Sequence, residues 1–75
     1  MMYSAVQLCP SGGIVRHEET HEVANILIGN FDSMDVAVKE ACTNLKCTEI
    51  HNGVITKGYG KGGYMLVTTQ ELEEV

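Results

Sequence analysis

Across residues 32–46 apolar side chains recur at three- and four-residue spacing: Met34, Ala37, Val38, Ala41 and Leu45, with Cys42 at the edge of the same stripe. That period predicts an amphipathic helix with one buried face. Asp35, Lys39, Thr43 and Lys46 fall opposite, toward water. Asp32 and Ser33 are both suitable N-cap residues, because their side-chain oxygens accept from the unpaired N–H groups of a first helical turn. Asp35 places a negative charge at the positive end of the helix dipole, and Lys46 a positive charge at the other end.

After the helix the pattern shortens to that of strands. Asn52-Gly53, the dipeptide preferred in type I′ hairpins, separates Thr48–His51 from a second strand at 54–59. A turn at Gly60-Lys61-Gly62-Gly63 leads into a third, at 64–70, rich in β-branched and aromatic residues. Residues 71–75 form an acidic tail expected to fray. In the first half, residues 2–9 read as a strand, Pro10-Ser11-Gly12-Gly13 as a turn, and 23–28 as a strand leading through Gly29-Asn30-Phe31 to the helix cap. Residues 14–22 extend a hairpin or form an exposed loop; a short helix at 20–28, stopped by Gly29, is the alternative. The expectation is one α+β domain over residues 1–75. A single amphipathic helix packs on an antiparallel sheet of about four to five strands, in ββαβββ order.

Seventy-five residues leave little interior for a water-excluding active site beside a core. The net charge of −5 repels phosphate backbones, which argues against direct nucleic-acid binding; it either favours a basic partner or simply keeps the protein soluble. Cys9, Cys42 and Cys47 are an odd set without a Cys-x-x-Cys pair, unlike a disulfide-stapled secreted domain. The first residues lack a basic start and an apolar stretch, and the longest aliphatic run is Ile26-Leu27-Ile28. The expectation is a cytoplasmic protein with free thiols and no membrane segment.

Two segments match motifs that carry chemistry. His17-Glu18-Glu19-Thr20-His21 fits H-E-x-x-H and resembles the zincin metalloprotease signature, in which two histidines one helical turn apart hold zinc and the glutamate is the base. On a strand the same histidines would lie about 13 Å apart and could not share a metal. His51 is the only other histidine available as a third ligand, and Arg16, Glu19 and Glu22 surround the motif with charge. His17 and His21 are therefore weak metal candidates, and no metal is expected.

Gly58-Tyr59-Gly60-Lys61-Gly62-Gly63 fits G-x-G-x-x-G, but the dinucleotide version needs a helix after the glycines and here a strand follows. A mobile hairpin tip explains the glycines, and no cofactor is expected. Phe31-Asp32-Ser33 resembles, locally, the strand-to-helix junction of the plant-type DNA-binding domain built from a three-stranded sheet and one helix. That family reads DNA through arginine- and tryptophan-rich strands, whereas this chain has one arginine and no tryptophan, so the DNA function does not carry over. Phe31 is expected to anchor the helix to the sheet.

The sequence points to a small, acidic, non-enzymatic protein that docks on a larger protein with a basic surface and modulates or inhibits it sterically. Phage and mobile-element products such as anti-CRISPR-type inhibitors share this size and style. The expected contact residues are Glu18, Glu19, Glu22, Tyr59, Lys61 and Tyr64. An open sheet edge also suits a homo-oligomer. The alternatives are a metal-dependent hydrolase using His17, Glu18 and His21, or a small-molecule or nucleotide-binding module using the glycine segment.

Overall fold

A computed structural model describes all residues except Asn52, Tyr59 and Val75. Its elements are β1 (Met2–Leu8), β2 (Asn25–Asn30), α1 (Met34–Leu45), β3 (Thr48–His51), β4 (Val54–Thr56), β5 (Gly63–Thr68) and α2 (Thr69–Leu72). The strands form one sheet in the order β2-β1-β5-β4-β3, with every neighbouring pair antiparallel. This is the α+β fold and element order that the pattern predicts, with a short extra helix. The alternative of a helix at 20–28 is replaced by β2.

The two-residue period of the strands sorts side chains between the faces. Tyr3 and Ala5 on β1, Tyr64 and Leu66 on β5, and Ile55 on β4 form the core with Ala37, Val38 and Ala41 of α1. The alanines at positions 5, 37 and 41 are fully buried. Their small side chains let the helix approach the sheet closely, while the larger Ile28, Phe31, Met34 and Leu45 pack around them. Phe31 thus anchors the β2–α1 junction. Its ring lies so close to Gly29 that an added Cβ there would stand 3.3 Å away. On the other face Ser4, Val6 and Val67 are also buried.

The ends of α1 follow local chemistry. Ser33 is the N-cap, its hydroxyl accepting from the Val36 N–H, and Asp35 lies in the first turn. Lys46 takes the left-handed conformation (φ 55°, ψ 47°) just past the last turn, and its N–H donates to the Cys42 carbonyl. The Cys47 N–H donates to the same oxygen at 2.9 Å, a Schellman-type ending that sets Cys47 near Cys42.

The end of β5 corrects the sequence reading. The strand stops at Thr68 rather than 70, and Thr69–Leu72 form a helical turn over the expected end of the strand and the first two residues of the tail expected to fray. The cause is a capping box: the Glu71 N–H donates to Thr68 Oγ1 at 3.1 Å, and Glu71 Oε1 accepts from the Thr68 N–H at 3.0 Å. β4 likewise stops at Thr56 instead of 59. The turn expected at Asn52-Gly53 lies partly outside the described residues; Gly53 has the positive φ (75°) that such a turn requires.

Candidate interaction surface

Strand register gathers three loops at one end of the sheet. Leu8, the last residue of β1, pairs with Gly63, the first of β5. It also bridges to Ile14 beyond the Cys9–Gly13 turn. β2 begins opposite Val6. The turn after β1, the segment running back into β2 and the glycine loop before β5 therefore leave the sheet on the same side.

The middle segment is a small hairpin. Arg16 and Val23 are bridged across it, and the His17 N–H donates to the Glu22 carbonyl at 2.9 Å. Within its loop the His21 N–H donates to the His17 carbonyl at 2.9 Å, closing one turn. His21 then adopts φ 62°, which turns the chain out of the helical direction. Arg16 Nη1 holds the loop from outside by donating to the His21 carbonyl at 2.8 Å. Glu18, Glu19 and Glu22 are all exposed on this tip, as are both histidines. His51 sits on β3, at the sheet edge remote from β2. Among the described residues no group of three His, Cys, Asp or Glu side chains is placed to hold a metal ion. The H-E-x-x-H match thus lies on a hairpin loop, and the helix on which a zincin site depends is not formed there.

The glycine segment joins β4 to β5, so the element after the glycines is a strand. The Thr56 hydroxyl organises the loop: it lies 3.2 Å from the carbonyls of both Gly58 and Gly62 and accepts from the Gly58 N–H at 3.1 Å. The Lys57 N–H donates to the Gly62 carbonyl at 3.0 Å, closing the base. Two glycines are required by close approach. A Cβ on Gly62 (φ 77°) would lie 2.5 Å from the Leu8 carbonyl oxygen, and one on Gly63 would overlap the Ile55 carbonyl. Lys61 is exposed on the loop. Tyr59 lies outside the described residues. Tyr64 moves from the expected contact set to the core: it is only 8% exposed, packed under α1, and the Lys57 ammonium stands 5.1 Å from its ring centroid.

Between the first turn and the glycine loop runs an open, mainly apolar groove of about 310 Å³, lined by Leu8, Cys9, Pro10, Ile50, Val54 and the loop glycines. Ile50 is 59% exposed. Cys9 stands at the rim with its sulfur 2.9 Å from Ser11 Oγ. The Ser11 hydroxyl, with backbone N–H groups of Ser11 and Gly13, stabilises the thiolate and holds the Cys9 thiol below its usual pKa. Burial pushes the thiols of Cys42 and Cys47 the other way. The groove was missed at the sequence level because its walls come from positions near 8, 50 and 60.

The structure therefore brings Glu18, Glu19 and Glu22 together and sets them at the same end of the sheet as Lys61 and an apolar groove. No family model, curated protein or solved structure matches the chain. No helix among the described residues is long and apolar enough to cross a membrane.

Proposed function

We propose that this chain is a binding protein that docks on a larger protein through the loop end of its sheet and acts by occupying that partner's surface. The observation that carries the reading is that an exposed acidic hairpin and an apolar groove lie at the same end of the sheet. Acidic groups and an apolar strip at one end suit a partner surface that carries both basic and apolar patches. A standard interface would bury roughly 800 Å² of this chain, about one-sixth of its 5015 Å² surface. The Thr56-centred hydrogen bonds and the Arg16 contact hold both loops before binding, which lowers the ordering cost of association. Steric inhibition of a host enzyme, in the manner of anti-CRISPR-type proteins, is the activity such a surface serves.

The test starts from a partner captured by the tagged chain from its native cytosol. Replacing Glu18, Glu19 and Glu22 together by lysine should slow association and reverse its salt dependence, with the thermal melt unchanged. Association rates that ignore both salt and the charge reversal would refute the acidic-hairpin reading.

A further inference from the structure

The two edges of the sheet differ. β3 is four residues long and carries Glu49 and His51. Charge and shortness are devices that keep an edge from pairing with another chain. β2 is six residues long and lies within an uncharged run, residues 23–31, in a protein of net charge −5. Its central side chains are open on both faces: Ile26 is 44% and Leu27 59% exposed.

The backbone phase of β2 follows from its register. The Gln7 N–H donates to the Ala24 carbonyl at 2.8 Å. Hydrogen bonding alternates along an antiparallel ladder, so Ile26, opposite Ala5, turns its backbone groups toward β1. Asn25 and Leu27 then turn theirs outward. The bulge in this ladder, where Tyr3 pairs with Gly29 and Ser4 with Leu27, leaves Ile28 as the extra residue, past the Leu27 position.

We infer that β2 pairs with β2 of a second copy of this chain, antiparallel and centred on Leu27, joining two sheets into one of ten strands. The sequence is self-complementary in that register. Leu27 lies across from its own counterpart, with its outward N–H and carbonyl positioned to exchange two hydrogen bonds about the two-fold axis. Ile26 falls opposite Ile28 on the α1 side. Asn25 falls opposite Gly29, whose backbone groups turn toward Tyr3 of β1, so the hydrogen bonding of the contact is confined to the Leu27 pair. No charge lies between positions 23 and 31 to oppose the contact. The run is bounded by Glu22 and Asp32, each five positions from Leu27, so the axis sets carboxylates of like sign at both ends of the ladder. The dimer therefore tightens as salt rises, opposite to docking of the acidic hairpin on a basic partner.

Sedimentation equilibrium of the purified chain tests this. The expected result is a reversible monomer–dimer equilibrium in the micromolar range that is stronger at high salt. Leu27→Lys should weaken it by more than about tenfold, with the melt retained because the side chain is exposed, whereas Ile50→Lys on the other edge should not. Amide hydrogen exchange on the unaltered chain gives an independent reading: protection at Leu27 should rise with protein concentration. A monomer at all concentrations, a dimer lost with Ile50→Lys instead, or exchange at Leu27 independent of concentration would overturn the inference.

Discussion

Ile55 is 1% exposed and faces α1 from β4, directly across from Tyr64. Ile55→Ala removes three carbons, worth about 2.4 kcal/mol at about 0.8 kcal/mol per buried methylene. The helix above and the strands beside it leave little room for collapse, so a cavity term brings the loss to about 3–4 kcal/mol. A domain of this length has a total stability of about 4–11 kcal/mol. The substitution therefore removes a large share of it. At roughly 4–8 °C per kcal/mol for domains of this size, 3 kcal/mol lowers the melting temperature by roughly 12–24 °C. Ile50→Ala, the same change at a site 59% exposed on the neighbouring strand, should cost less than about 0.5 kcal/mol. Because the chain has no tryptophan, urea unfolding is best followed by far-ultraviolet circular dichroism. The midpoint should fall for Ile55→Ala at unchanged slope. A loss below about 1 kcal/mol at Ile55, or a larger loss at Ile50 than at Ile55, would mean that α1 covers the opposite face of the sheet.

Gly63→Ala should cost more than about 2 kcal/mol, because the new methyl overlaps the Ile55 carbonyl in β4. Gly60→Ala meets open space and carries only the left-handed penalty of about 1–2 kcal/mol; denaturation midpoints would check the order. In an alkylation series read by mass spectrometry, Cys9 should react first and retain reactivity to lower pH, since hydrogen bonds from Ser11 favour its thiolate. Cys42 and Cys47, whose thiols burial pushes up, should react only at higher pH or on unfolding; Cys47 labelling as fast as Cys9 would contradict this order.

The helix, the order of elements along the chain and most strand positions were legible, because the helix and strands each rest on a local period of 3.6 or 2; the order of strands in the sheet, which sets β5 between β1 and β4, was not. The capping box was legible too, as Thr68-x-x-Glu71, but the β-branched run Val67-Thr68-Thr69 hides it by favouring a longer strand. Tyr64 looked like a surface residue because it adjoins the glycines. Its parity with Leu66 placed both on one face, and the register with Ile55 buries it. The histidine segment could not be settled from spacing, since a tight hairpin turn and a helical turn both close a bond between positions 17 and 21. The Arg16–Val23 bridge, a contact between the flanks, decides it. The groove and the outward phase of β2 were not legible, because they depend on which distant strands become neighbours.

The strands at the centre of the sheet, β1 and β5, are the first and last in the chain, joined from Tyr3–Thr68 to Leu8–Gly63. Each half of the sheet, β1 with β2 on one side and β3 with β4 on the other, is a short-range assembly that can form early. Neither half holds a core of its own: Tyr3 and Ala5 come from one, Ile55 from the other, and Tyr64 and Leu66 from the strand that joins them. On a ribosome the first four strands must therefore wait, with apolar surface uncovered, until β5 is synthesised and slots between β1 and β4. Folding is then a single late closure, and during synthesis the uncovered edge of β1 is the place where a chaperone, or a neighbouring nascent chain, competes with β5.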